Sequence, residues 1–207
     1  MIARYNLGML PTMQEIVLLH KKYAPTAEVL SLVFTHCQIV SDVAAQLMRA
    51  RGIAADGDLV KVGALLHDIG VYPLFGKKGE ERKDLHYITH GIRGEKILRE
   101  EGFPEVIWRF ASHHTGVGLT KLDIESQNLP LPAQNYEADT VEEQLVMYAD
   151  KFHSKTSPSY FNSYEWYKKY AAKFGQSKVA KFEQMAQEFG VPNLVPLIEK
   201  YGHPERP

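Results

Sequence analysis

The sequence predicts an all-α protein. Three observations carry that prediction. Apolar residues recur three and four positions apart in successive segments. Thr or Asp caps, or a proline in the first turn, open those segments, and glycines close them. No stretch shows the strong apolar–polar alternation of a half-buried strand. With 207 residues and a hydrophobic fraction of 44%, the chain can bury a sizeable core as one domain over 1–207.

Pro11 and Thr12 open a short helix that runs to about Tyr23, with Ile16, Val17 and Leu19 apolar. Thr26, after Pro25, caps a long helix that ends before Gly52. Val29, Val33, Val40, Val43 and Leu47 form its stripe, and the three/four spacing puts His36 on the same inward face. Asp58 starts a third helix through Leu59, Val62, Leu65 and Leu66, with Gly70 as its stop. Residues 71–85 read as a loop. A fourth helix runs from about His90 to Gly102.

Pro104 suits the first turn of a fifth helix. There Ile107, Phe110, Ala111 and His114 form one helical series, and Val106, Phe110 and His113 a neighbouring one. Residues 115–139 look irregular, and an irregular stretch of that length is often functional. Thr140 and Glu143 form a capping-box pattern that starts a helix carrying Asp150. From about Ser157 the chain is rich in Tyr, Phe and Lys and reads as two or three amphipathic helices packed on the rest.

Composition narrows the function classes. A net charge of -1 gives no general reason to expect nucleic-acid binding. The single cysteine, Cys37, forms no internal disulfide, which suits a reducing cytoplasm. No signal peptide is expected at the N-terminus, and no apolar run is expected to cross a bilayer, which needs about 20 residues.

One pattern stands apart. His36, His67-Asp68, His90, His113-His114 and Asp150 succeed one another at intervals that place each group on a different segment. Any one of them alone has a plain structural explanation, such as a hydrogen-bonded core histidine or a surface pair. Together they do not. Five imidazoles and two carboxylates on the inner faces of a helical bundle would each need separate compensation for burial. One or two divalent ions would satisfy them all, and imidazole with carboxylate is a ligand mixture suited to transition metals.

This order of residues resembles the HD-domain superfamily of metal-dependent phosphohydrolases, and His67-Asp68-Ile69-Gly70 matches its HDIG variant. The resemblance covers roughly residues 26–154. It implies an all-α HD-domain bundle with the metal site at its centre, and 155–207 as additional C-terminal helices. Carried over, it makes His36, His67, Asp68 and Asp150 ligands of a first metal. Asp68 would bridge to a second metal held by His90, His113 and His114, with His114 the weakest match. A cofactor of one or two divalent ions follows: Fe or Mn first, with Ni, Co, Zn or Mg also admitted.

The chemistry implied is hydrolysis of a nucleotide or other small phosphate ester. Ions roughly 3.5–4 Å apart would clamp the phosphoryl oxygens and hold a hydroxide. Asp68 would be central to catalysis, with Lys151 and Arg93 as candidate partners for the phosphate charge. Lys77, Lys78, Arg82 and Lys83 read as solvated charge. The lysine that follows HDIG in cyclic-dinucleotide phosphodiesterases is Val71 here, and their Gly-Tyr-Pro signature is replaced by Thr115-Gly116-Val117-Gly118. That weakens the case for cyclic-di-GMP. The same scaffold also resembles the di-iron oxygenases of the myo-inositol oxygenase type, and a non-catalytic nucleotide-binding module is a third reading. His20, His86 and His203 read as structural, and so does His153, whose place three after Asp150 also admits a role behind the ligands; Trp108 reads as core, and the aromatic residues of the last third as core and helix-packing surface ahead of base stacking or dimerisation. The oligomeric state is left open, a homo-oligomer included.

Overall fold

The structure is a computed structural model and describes residues 10–206. The expectation about an N-terminal signal peptide falls on residues outside those described. Among the described residues there are ten α-helices: α1 (Met13–Tyr23), α2 (Ala27–Arg51), α3 (Gly57–Leu66), α4 (His90–Glu100), α5 (Glu105–Ser112), α6 (Lys121–Ser126), α7 (Val141–Asp150), α8 (Tyr164–Ala171), α9 (Gln176–Phe189) and α10 (Val195–Tyr201). The all-α prediction holds.

Local chemistry explains the helix starts and stops. The side chains of Thr12, Thr26, Asp56, Thr120, Thr140 and Ser163 each accept a backbone N–H of the first turn that follows. Gly52 closes α2 with φ 61°, a left-handed backbone that glycine adopts without a Cβ clash.

The structure corrects the sequence in four places. The third helix is capped by Asp56 and ends at Leu66, not at Gly70; residues 69–74 follow as a 3-10 turn. The stretch 115–139 holds the short helix α6, whose capping box pairs Thr120 with Asp123. Two short strands, β1 (His153–Ser154) and β2 (Tyr160–Phe161), pair antiparallel with His153 opposite Phe161. Finally, α2 has 25 residues and a window of mean hydropathy 1.2, long and apolar enough to cross a membrane by those measures. Here its stripe lies in the protein core, with Val33, Val40 and Val43 wholly buried.

Two apolar clusters flank the centre. One joins α1, the first half of α2, α3 and α5 through Ile16, Val33, Leu66 and Ile107. The other joins the second half of α2 to α7 and to the C-terminal helices through Val43, Tyr148, Phe182 and Phe189. The C-terminal helices therefore bury their aromatic faces directly on the helices that carry His36 and Asp150.

Candidate metal centre

Five segments deliver the site. His36 comes from the middle of α2, and His67 and Asp68 from the end of α3, where the chain leaves the helix for the 3-10 turn. His90 opens α4, His114 follows α5, and Asp150 ends α7. Close packing brings α4 to the 3-10 turn. A Cβ on Gly70 would lie 2.0 Å from the His90 carbonyl oxygen and 2.2 Å from the Gly94 nitrogen. Gly70 is there for this approach, which sets His90 beside Asp68.

Ligating atoms converge in two groups, within 4.8 Å of one another in each: His36, His67, Asp68 and Asp150 in one, Asp68, His90 and His114 in the other. Asp68 belongs to both. Its Oδ2 lies 3.1 Å from His36 Nε2 and 3.4 Å from His67 Nε2. Its Oδ1 lies 3.6 Å from His90 Nε2 and 3.5 Å from His114 Nε2. Asp150 Oδ1 lies 2.9 Å from His36 Nε2 and 3.5 Å from His67 Nε2.

The hydrogen bonds on the far side of the rings fix what faces the centre. His67 Nδ1 meets the Ala64 carbonyl at 2.7 Å, His90 Nδ1 the Tyr87 carbonyl at 2.8 Å, and His114 Nδ1 the Phe110 carbonyl at 3.0 Å. A carbonyl can only accept, so each Nδ1 carries the proton; the neutral His90 and His114 rings turn a bare Nε2 inward, whereas for His67 burial opposes charge but the adjacent Asp68 carboxylate raises the ring well above its ordinary pKa. His90 Nε2 and His114 Nε2 then face each other at 2.9 Å. Two acceptors cannot bond to each other. Burial pushes His90 down to about 3, with the His114 charge adding to the effect, and burial lowers His114 too, so protonation does not relieve the clash. His67 Nε2 and Asp68 Oδ1 are buried without a hydrogen-bond partner, and Asp68 Oδ2 is held by the Lys155 ammonium as an ion pair. Buried, unpaired donor atoms aimed at one another are what a cation resolves. The 2.9 Å separation of the His90 and His114 nitrogens is one that both rings could keep while ligating the same cation.

The carboxylates are anionic. Burial works to raise both, yet Lys155 and His67 hold Asp68, and Lys151 and His36 hold Asp150, well below the ordinary carboxylate range. Lys151 Nζ donates to Asp150 Oδ2 at 2.6 Å and to the His114 carbonyl at 2.9 Å. It ties two ligand segments together instead of pointing free into the cleft.

The structure separates the expected residues. His113 turns away from both groups. Its Nδ1 meets Ser112 Oγ at 2.7 Å and its Nε2 meets Arg109 Nη1 at 3.2 Å. Two residues in succession leave a helix end in different directions, and here the inward place goes to His114. Arg93 also turns away: its Nε donates to Thr89 Oγ1 at 2.9 Å, and it does not line the cleft.

Sequence reasoning missed three features. Lys155, in the β1–β2 turn, forms an ion pair with Asp68 Oδ2 and lies 5.5 Å from the Tyr87 ring centre. Nothing in its sequence neighbourhood marks it. His153 Nδ1 lies 2.9 Å from His36 Nδ1, and His153 Nε2 lies 2.9 Å from His203 Nδ1. Third, the centre opens into a cleft of about 1000 Å³ whose walls include Lys155, Trp166, Tyr170, Lys173, Lys178 and Arg206. Most of these come from the C-terminal helices and tail.

Comparison with known proteins agrees with this geometry. The HD domain family matches residues 33–155. An uncharacterised protein of Methanocaldococcus jannaschii is 40% identical over 121 residues, which is 57% of this chain and 64% of that protein. The tRNA (cytidine(56)-2'-O)-methyltransferase of Picrophilus torridus is 37% identical over 119 residues, 58% of this chain but 30% of that enzyme. The chain thus spans less than two thirds of these relatives. In fold, it is similar to the HD domain of the phosphodiesterase PgpH from L. monocytogenes, with a TM-score of 0.51 and 17% identity over 91% of this chain and 99% of that domain. The complex of that domain with cyclic-di-AMP also has a TM-score of 0.51, at 15% identity over 93% of this chain and 99% of that domain. Matched over more than half its length and carrying the ordered His and Asp set on converging helices, this chain belongs to the HD-domain family.

Proposed function

We propose that the protein hydrolyses a nucleotide or other small phosphate ester with one or two divalent transition-metal ions. The observation that carries this reading is the pair of buried donor groups sharing Asp68, in which the His90 and His114 nitrogens face each other and His67 Nε2 and Asp68 Oδ1 lack hydrogen-bond partners. His36, His67, Asp68 and Asp150 would hold one ion and Asp68, His90 and His114 a second. Bound divalent ions supply Lewis acidity toward the phosphoryl oxygens and acidify water to a pKa near about 7.

The chain's own residues do the rest. Lys151 holds Asp150 in place and anchors the His114 carbonyl. The Lys155 ammonium, at the cleft face of Asp68, would swing to a phosphoryl oxygen as substrate enters. Trp166 and Tyr170 stack with planes 13° apart and centroids at 5.3 Å, and both line the cleft. With Lys173, Lys178 and Arg206 beside them they form a wall suited to a planar, anionic ligand such as a nucleotide. The PgpH complex with cyclic-di-AMP supports that substrate class by analogy of fold.

The test is a substrate panel run on metal-free protein reloaded with Mn or Fe. Nucleoside phosphates, cyclic dinucleotides and simple phosphomonoesters are assayed for phosphate or nucleotide release, while an electrode follows oxygen. Metal-dependent release without oxygen uptake, abolished in Asp68→Asn, is the expected result. Strict iron dependence with oxygen uptake and no phosphoester cleavage would instead place the protein with the oxygenases.

A further inference from the structure

We infer that His36, His153 and His203 form a tautomer relay, in which His153 and His203 position His36 for the metal and register its loading. The inference rests on the metal-centre reading above. Three of the ligand histidines have their Nδ1 proton fixed by a backbone carbonyl. His36 does not. Its Nδ1 faces another imidazole nitrogen, His153 Nδ1, at 2.9 Å, and His153 Nε2 faces His203 Nδ1 at 2.9 Å. The first two ring planes differ by 28° and the second two by 19°, so the three rings run edge to edge in nearly one orientation. His36 and His153 are buried, and His203 is partly exposed.

A neutral imidazole carries one N–H, and each N···N bond takes one proton. Three neutral rings joined by two such bonds therefore have only two self-consistent arrangements. In the inward one, His203 Nδ1 donates to His153 Nε2, His153 Nδ1 donates to His36 Nδ1, and His36 carries its proton on Nε2. That proton is given to Asp150 Oδ1 at 2.9 Å. In the outward one, His36 Nδ1 donates to His153, His153 Nε2 donates to His203, and His203 carries its proton on Nε2. Only the outward arrangement leaves His36 Nε2 bare to ligate a metal. Passing from inward to outward, His36 Nε2 loses a proton to solvent, each bridging proton moves one ring toward His36, and His203 Nε2 gains a proton from solvent. The rings stay neutral, and the protons gained equal the protons lost.

The relay ends on a held element. The Phe161 N–H donates to the Pro204 carbonyl at 2.9 Å, and the Arg206 N–H donates to the Phe161 carbonyl at 2.7 Å. These bonds hold the segment that follows His203 against Phe161, the β2 residue opposite His153. A simply structural stack of rings would tolerate an apolar ring at 203 and would leave metal binding unchanged.

The experiment uses Zn²⁺ as a diamagnetic probe on the full chain labelled with ¹⁵N-histidine, read by long-range ¹H–¹⁵N correlation of the imidazoles. Loading is expected to move the His203 proton from Nδ1 to Nε2 together with that of His153. A chelator competition then compares Zn²⁺ affinity in wild type, His203→Phe and His203→Gln. The Phe variant should bind at least ~10-fold more weakly, and the Gln variant, whose amide oxygen can accept from His153 Nε2, should recover most of that loss. Wild-type protein that binds Zn²⁺ with no change in the His203 tautomer overturns the relay and leaves the metal centre standing. Equal affinities in the wild type and the Phe variant do the same. Wild-type protein that takes up no Zn²⁺ overturns both readings.

Discussion

His113 and His114 are neighbours in the chain, yet only the second points at Asp68. The difference predicts a clean contrast. His114→Ala removes a donor from the second group and should lower bound metal from about two ions per chain to about one, as should His90→Ala. His113 meets Ser112, Arg109 and the Tyr136 ring and lies in neither ligand group, so His113→Ala should leave metal content unchanged. Elemental analysis of the three variants checks this, and a loss of metal in His113→Ala would contradict the geometry. His20 makes a different prediction. Its Nδ1 meets the Tyr72 hydroxyl at 2.7 Å and its Nε2 the Leu65 carbonyl at 2.8 Å, with no exposure to solvent. Burial pushes its pKa down from 6.5 to about 4. The folded value lies below the unfolded one, so folding favours the neutral ring. Its contribution is complete above pH 6.5 and is lost as pH falls from 6.5 toward about 4. The slope is about 1.4 kcal/mol per pH unit, about 3 kcal/mol in all. Urea unfolding of wild type and His20→Gln between pH 4 and 7 should show a shallower pH dependence in the variant. Parallel curves would contradict the assignment.

Among the elements, the junction of α4 with the 3-10 turn shows how a helix boundary makes a site. Gly70 has no Cβ where one would meet His90 and Gly94 backbone, and a Cβ on Gly94 would lie 2.8 Å from that of Ala111. Gly70→Ala is therefore an overpacking change against backbone, which cannot move without taking His90 with it. It should destabilise the fold by about 3 kcal/mol and weaken metal binding together. Denaturant melts and metal titration of the variant test this, and an unchanged midpoint would show that the junction is looser than described. Helix existence was legible because three/four periodicity reports a buried face. The ends were less legible because they depend on partners far along the chain. Glu143 was read as closing a capping box on Thr140; instead its carboxylate accepts from the Asp139 N–H at 2.8 Å and from Arg109 Nε at 2.7 Å. Likewise α6 hid inside a stretch read as irregular, because six residues give too few turns for periodicity to register.

For the whole molecule, donors from five segments converge on one centre, and a metal bound there would tie the segments together. Metal that binds the folded chain alone stabilises it by about 2.7 kcal/mol at a hundredfold excess over Kd, or roughly 5–10 °C in Tm for a chain of this size. Chelation should remove that increment and metal return should restore it in a thermal melt. Identical melts with and without chelator would contradict a shared centre. The C-terminal helices act at this scale too. They supply Trp166, Tyr170, Lys173 and Lys178 to the cleft and bury Phe182 and Phe189 against the helix of Asp150. Their aromatic residues read first as core and packing surface and second as a stacking or dimerising face; here they serve both as core and as cleft wall.

The sequence by itself determined the fold class and most of the residues that converge as a candidate metal-ligand set. Helical periodicity and caps are local properties, and a run of His and Asp residues on inward faces has few other ways to be satisfied. Tertiary structure alone decided which of two adjacent histidines faces the centre, that Arg93 turns away, that Lys155 meets Asp68, and that His153 and His203 stand in line behind His36. Those outcomes depend on which direction a side chain takes at a helix end and on which distant segment packs beside it. Neither is written in spacing along the chain, because contacts between residues 36, 153 and 203 exist only once the helices have packed.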